Sequence, residues 1–344
     1  MATIREIAKE AGVSSSTVSI VVNGKSEERK IPKITQKKIM DAAHKLHYHP
    51  NVAARRLRIQ PSDNLIIAVF WATDFRAPMM VRFLQGLQQA ILKKKKNWEV
   101  IIHPYENNKL NESMQALEMC NAAIICNASI QDMKFLEHRS FPVPTVLYNR
   151  HSDKFCTVNV DDNLLGAIPA KIFADRGHRN AGLIVSKSVF PGMDIRVNSF
   201  LLHAEKAGIA VQQINQENSM EGGYRGGQSL CALRPIPDCL FCVSDMMAIG
   251  AMKALLQLGV KIPEDMEIIS IGNGERELEE YACVSLSVVH LPMEKMAEAC
   301  FDLVLDLMAG KVEPPYSVEL PVKYLTRDSC GGSTNAEEAV VKSK

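Results

Sequence analysis

Seven apolar runs of strand length, separated by helical stretches, constrain this chain more than any other feature. LIIAVFW (65–71), WEVIIH (98–103), NAAIICN (121–127), PTVLYN (144–149), AGLIV (181–185), CLFCV (239–243) and EIISIG (267–272) are continuous rather than alternating. Between them lie helical patterns: one running to about Lys96, a short one near Glu112, then Arg196 to Ala207 and Met246 to Leu258. A strand that is apolar on both sides needs cover on both faces, the condition of a parallel sheet flanked by helices. From about Asn64 the chain therefore reads as α/β. Over 280 residues exceed what one such unit commonly organises, so two lobes are expected, with a cleft at the carboxyl ends of the strands.

The first 22 residues are of another kind. Two short helical patterns, Thr3 to Ala11 and Ser15 to Val22, are joined only by Gly12, Val13 and Ser14. In the first, Ile4, Ile7, Ala8 and Ala11 recur at helical period, and Thr3 with Glu6 forms a T-x-x-E capping box. Gly12 ends it, because glycine enters the left-handed cap without steric cost. Ser14 caps the second, whose Val18, Val21 and Val22 form the apolar stripe and whose Ser15, Ser16, Ser19 and Ile20 stay outside. Thr35 is expected to cap a third helix carrying Ile39, Ala42, Ala43 and Leu46. Tyr48 and Pro50 stop it, and NVAARRLRI (51–59) restarts a helix with too little apolar face to stand alone. The spacing of the first two helices is that of a helix-turn-helix that reads DNA.

Charge supports that reading. Residues 1–60 hold 12 Lys and Arg against 5 Asp and Glu, a net of +7; the other 284 hold 28 against 34, a net of −6. A basic head on an acidic body points to nucleic acid as the partner of the head.

The runs MATIREIAKEAGVSSSTVSIVVNGK and YHPNVAARRLR, with the later landmarks in order, resemble the lactose-repressor and galactose-repressor family of bacterial transcription regulators. The resemblance extends from Ala2 to about Arg327. It implies that Ser15, Ser16 and Ile20 face base edges in the major groove. Many relatives carry a polar or basic side chain where Ile20 stands, so a different operator base is expected there, the thymine methyl being its natural partner. Thr3, Ser14, Thr17 and Asn23 resemble phosphate-positioning groups. In the hinge, Ala54, Arg55 and Leu57 match the segment that enters the minor groove, with Leu57 as the wedge.

The same resemblance implies a periplasmic-binding-protein-like core. Its effector contacts would be Met79, Met80, Asn149, Arg196, Ser244 and Asn273. Arg196 stands at the family's ligand-grasping arginine, whose forked donors suit a hydroxyl-rich or anionic ligand. Asp245 has an equal reading as a helix cap. Met79 and Met80 replace aromatics, and Asn273 and Gly274 replace an aromatic and an aspartate, so the usual sugar-hydroxyl contact is in doubt.

Other chemistry is sparse. Cys239 and Cys242 form one CxxC inside an apolar strand, without a second pair at metal spacing, and His103, His138, His151 and His290 have no HExxH setting. No metal and no cofactor are expected, nor an enzyme. GGYRGG (222–227) reads as a turn and a flexible helix start, His178 and Pro263 as caps or turns, and Lys93 to Lys96 as a solvated helix end. Nine cysteines, an odd number, with no signal peptide and no apolar run near 18 residues, fit a reducing cytoplasm rather than a membrane.

The expected organisation is a head (1–49), a hinge helix and linker (50–62), a core (63–330) and a disordered tail (331–344). Within the core, the first lobe is placed at about 63–161 and 290–325, the second at about 162–289. The expected function is repression of a carbohydrate-utilisation operon by a homodimer on a near-palindromic operator, controlled by a sugar or sugar derivative in the cleft. The alternatives are a solute-binding protein with a non-functional head and a regulator controlled by a protein partner.

Overall fold

The computed structural model describes residues 4–22, 31–45, 64–95, 97–332 and 339–341. It separates into two compact units, 1–62 and 63–344.

In the first unit, α1 (Ile4–Ala11), α2 (Ser15–Val22) and α3 (Lys33–Lys45) enclose a core of Ile7, Ala8, Val18, Val21, Ile39, Ala42 and Ala43. Gly12 adopts a φ of 66°, and Val13 N–H donates to the Ala8 carbonyl at 3.0 Å, closing the end of α1. The Ser14 hydroxyl accepts from Thr17 N–H at 3.1 Å, the N-cap of α2. α3 begins two residues before Thr35, because Gln36 N–H already bonds the Pro32 carbonyl and the Gln36 side chain donates to the Ile31 carbonyl. Thr35 is thus inside the helix, and the first turn is organised from Ile31 and Pro32. The expected positions Leu46, Asn23, Thr3 and the whole hinge, including Ala54, Arg55 and Leu57, lie outside the described residues.

The second unit holds two sheets. In the first, β1 (Asn64–Ala72), β2 (Asn97–Tyr105), β3 (Ala122–Cys126), β4 (Thr145–Tyr148), β5 (Cys156–Val160) and β11 (Tyr316–Leu320) run in the order β11-β5-β4-β3-β1-β2, all parallel. In the second, β6 (Asn180–Val185), β7 (Ala210–Asn215), β8 (Cys239–Cys242), β9 (Glu267–Gly272) and β10 (Ser287–His290) are parallel. β12 (Val322–Leu325) and β13 (Ala339–Val341) add antiparallel strands at its edge, giving β13-β12-β10-β9-β8-β6-β7. Every residue of β3, β4, β8 and β9 is buried, the cost-free arrangement for a strand apolar on both faces. Six strands lie outside the seven apolar runs: β10 to β13, β5, whose buried Thr157 and Asn159 bond each other, and β7, a half-exposed edge.

Two expectations about boundaries are corrected. The stretch 290–325 does not lie wholly in the first lobe: His290 closes β10 in the second sheet, and the chain changes sheet at Pro321, between β11 and β12. Proline cannot donate to either ladder, so it suits the single residue between two sheets. Just before the tail, Ser329 and Cys330 are buried in a short 3-10 turn, and within the tail Ala339–Val341 pairs with β12 rather than forming part of a structureless end.

GGYRGG is likewise no turn. It lies inside α9 (Met220–Cys231), which crosses α10 (Asp245–Gln257) at backbone contact: a Cβ on Gly223 would come within 2.0 Å of the Met247 carbonyl oxygen, and one on Gly250 within 1.9 Å of that of Met220. The glycines are spent on close approach, not on flexibility. His178 is more than a turn residue, since its ring bonds Glu267 at 2.8 Å and lies 3.1 Å from Asp238.

Candidate functional site: the interlobe cleft and the face of α2

On α2 the side chains of Ser15 and Ser16 are exposed and that of Ile20 is half-buried, one turn further along. Ser14 and Thr17 hydroxyls lie 2.8 Å apart, so both are already engaged with each other and with the cap. The exposed face of α2 carries no charged residue.

The cleft of the second unit contains a cavity of about 250 Å³ at the carboxyl ends of the strands. From the first lobe it is lined by Phe75, Arg76 and Met79 after β1, Asn127 after β3 and Asn149 after β4. From the second come Ser186 after β6, Phe190 and Arg196 on or before α8 (Pro191–Lys206), Asn273 after β9 and Leu291. Asn127 and Asn149 both hold the left-handed conformation, with φ of 62° and 54°. Asparagine tolerates that region better than other residues with a Cβ, which lets two parallel strands turn sharply at the cleft edge.

Of the six residues expected to contact an effector, Met79, Asn149, Arg196 and Asn273 line the cavity, and Met80 and Ser244 do not. Met80 opens α4 (Met80–Lys94) and packs on the core. Ser244, almost fully buried, caps α10 by accepting from Met247 N–H and donates to Asn218. Asp245 is neither that cap nor a liner: its carboxylate accepts from Gly274 N–H at 2.6 Å and Met246 N–H at 2.8 Å. It holds the backbone next to Asn273 from below. Burial pushes its carboxyl upward, those two bonds opposing. Glu279 beside it is pushed up to about 8, by burial first and by Asp245 second, against the charge of Arg327.

Sequence reasoning missed Arg76, Asn127, Arg150 and Phe190. Arg76 is clamped by Asp74, Nε to Oδ1 at 2.9 Å and Nη2 to Oδ2 at 2.5 Å, and also bonds Asn107 at 2.9 Å. Burial alone would raise Asp74, but Arg76 and Asn107 hold it below its ordinary value. Arg196 donates from Nε to Asp162 at 2.7 Å; both are buried. Its place is set by α7 (Asp162–Asp175), where a Cβ on Gly166 would come within 2.1 Å of the Arg196 carbonyl oxygen. Arg150 donates to the Ala128 carbonyl at 2.5 Å and to that of Asn149, and among the described residues no carboxylate forms an ion pair with it. Burial, then the charges of Arg76 and Arg196, pull it down to about 9. The signal for all four was positional: each lies just beyond a strand that ends at the cleft.

Behind the cavity a further arginine ties the lobes together. Arg82 of α4 bonds both carboxylate oxygens of Glu294 at 2.8 Å, the Gly274 carbonyl at 3.0 Å and the Leu291 carbonyl at 3.1 Å. Arg82 and Arg276 both approach His290 Nε2, at 3.3 and 3.2 Å, so that nitrogen is the acceptor and the ring is neutral. Burial, with Arg82 and Arg276, pulls His290 down to about 3.

A helix-turn-helix unit followed by two mainly parallel sheets with a polar cleft between them defines a periplasmic-binding-protein-like core that carries a DNA-binding head. Residues 3–51 match the model of bacterial regulatory proteins of the lacI family, and residues 170–330 that of periplasmic binding protein-like domains. A LacI family transcription regulator from Clostridium acetobutylicum is 33% identical, with a TM-score of 0.74 over 76% of this chain and 99% of that one. The chain belongs to the lacI family of bacterial regulatory proteins. The HTH-type transcriptional repressor PurR of Yersinia pestis bv. Antiqua is 27% identical over 96% of this chain and 97% of its own length. The Lac repressor dimer bound to operator and the anti-inducer ONPF shares the fold, with a TM-score of 0.70 at 18% identity, over 96% of this chain and 99% of that one. Among the described residues, no helix is long and apolar enough to cross a membrane.

Proposed function

We propose that this protein is a cytoplasmic transcriptional repressor of a metabolic operon, binding a near-palindromic operator as a homodimer and controlled by a small molecule held between the lobes. The observation that carries this reading is a cleft whose polar side chains come from both lobes, in a chain whose first unit is a helix-turn-helix. A ligand that touches Arg76 and Asn149 on one side and Arg196 and Asn273 on the other binds one separation of the lobes better than another. Such differential affinity is what shifts a conformational equilibrium. Ser15, Ser16 and Ile20 would read bases, and Ser14, Thr17, Thr3 and Asn23 would set register on the phosphates. Since one α2 offers few strong base contacts, two heads are needed for specificity.

The test is operator binding by the full chain, using a duplex recovered by selection, across a salt series. Affinity falling steeply with salt, with a slope of several phosphates, is expected. A flat slope with no preferred duplex would instead mean a solute-binding protein with an inert head. Leu57→Ala is expected to lose operator affinity while calorimetric ligand binding is kept; unchanged operator affinity would remove Leu57 as a minor-groove wedge.

A further inference from the structure

Three guanidinium groups converge on one aromatic ring in the cleft. The guanidinium carbons of Arg150, Arg196 and Arg76 lie 4.0, 5.5 and 5.7 Å from the centroid of Phe190. Arg76 and Arg150 come from the first lobe and Arg196 from the second, and all three are at least nine-tenths buried. Among the described residues, each keeps one buried nitrogen without a hydrogen-bond partner: Nη1 of Arg76, Nη2 of Arg150 and Nη2 of Arg196. Arg196 Nη2 lies 2.7 Å from Asp162 Oδ1, close enough for charge pairing but outside hydrogen-bond geometry. Nδ2 of Asn127, which lines the cavity, is unpartnered as well.

Buried donors without acceptors are costly, and buried cations more so. The carboxylates nearby do not remove that cost. Asp74 is taken up by Arg76 and Asn107, Asp162 by Arg196, and Asp194, on the cavity wall, by Ser188. Arg76, Lys187 and Arg196 on the cavity wall and Arg150 behind the Phe190 ring, set against those three, leave the site with a net charge of +1. A ring face attracts a cation only weakly compared with a charge-assisted hydrogen bond. The Phe190 ring thus fills the space between the three forks and covers Arg150 from the cavity, so an oxyanion that meets all three takes the place of the ring.

We infer that Arg150, with Arg76 and Asn127 and with Arg196 across the cleft, forms a subsite for the phosphate group of a small phosphorylated effector. The inference rests on reading the cleft as the effector site. A phosphate monoester carries three terminal oxygens and close to two charges at neutral pH, against the two oxygens and one charge of a carboxylate. It can therefore meet donors from both lobes at once. The rest of the cavity, with Asn149, Asn273, Ser186, Met79 and Leu291, offers amides, a hydroxyl and apolar surface for a hydroxylated carbon skeleton.

The experiment is a thermal-midpoint and calorimetric comparison on the full chain. Probes are inorganic phosphate, glucose 6-phosphate, glucose and citrate, each against sodium chloride at equal ionic strength. Glucose 6-phosphate and phosphate are expected to raise the midpoint, glucose and citrate to leave it unmoved. Arg150→Gln is expected to weaken glucose 6-phosphate binding at least tenfold, and Arg150→Lys to lose less. The inference is overturned if the phosphate probes do no better than chloride, if glucose or citrate binds as well as they do, or if Arg150→Gln binds like the parent. Were Arg150→Gln not to fold, the parent and Arg150→Lys decide it. Operator binding with and without glucose 6-phosphate separates this from the wider reading. Phosphate binding that leaves operator affinity unchanged keeps the subsite and removes effector control. Operator binding that responds to glucose alone keeps the regulator and removes the subsite.

Discussion

The head and the cleft handle polar groups in opposite ways. In the head, backbone groups that could be orphaned are satisfied within a few residues, Ser14 capping α2 and Val13 N–H closing α1, while Lys45 reaches Glu10 at 2.6 Å on the exposed surface. Its core consists of small aliphatic side chains. In the cleft, arginines from distant strands are buried together and left short of acceptors. A unit that presents a neutral reading face can settle its own hydrogen bonds, whereas a site that recognises a ligand keeps donors unspent until the ligand arrives.

The hardest test of that contrast is Arg196→Ala, which leaves Asp162 buried without its partner. It should cost the core about 3–5 kcal/mol in urea unfolding. A loss under about 1 kcal/mol would mean that Asp162 reaches solvent and the pair is not a buried one. In the head, Ile39→Ala removes the largest side chain that α3 buries among the described residues, and should cost that unit about 2–5 kcal/mol. Operator affinity should drop while calorimetric ligand binding by the core is unchanged; parallel losses would show that the two units do not fold independently. Ile20→His is expected to move base preference at one operator position per half-site by about 1–3 kcal/mol, read by selection on randomised duplexes. An unchanged preferred operator would take Ile20 off the reading face.

The smallest effect is a pH slope. Glu279 has a folded value of about 8 against an ordinary 4.5, so the folded state holds its proton where the unfolded state has lost it. Its contribution is greatest below 4.5 and declines as pH rises towards 8. His290, folded value about 3 against 6.5, acts oppositely and only below 6.5. Between pH 6.5 and 8 Glu279 acts without that opposition, and stability should fall by on the order of 1 kcal/mol. Glu279→Gln should flatten this slope in urea titrations; a slope that persists would place its origin elsewhere.

Much of the fold was legible. The runs at 65–71, 239–243 and 267–272 became β1, β8 and β9 within a residue or two. The periods of Ile7, Val18 and Ile39 placed the core of the head. Legibility failed where a residue's role depends on a distant neighbour. GGYRGG looks like loop chemistry until α10 lies against it, and CTVNV looks polar until β4 and β11 flank it as β5. In the cleft, Arg196 was reached through family resemblance, but Arg76 and Arg150 have no local signature. Met80 and Ser244 match cleft positions in sequence yet face the core and a cap.

By itself the sequence determined what short-range physics controls: strand and helix periods, the Gly12 turn, the Ser14 cap, the basic head and the family. Those signals are complete within about a dozen residues, because steric and hydrogen-bond preferences act over one or two turns. Only the tertiary structure decided which sheet takes the chain after Pro321, how closely α9 and α10 approach, and that residues 76, 150 and 196 meet around one ring. Burial of charge is a property of the assembled lobes, and no local pattern can announce it.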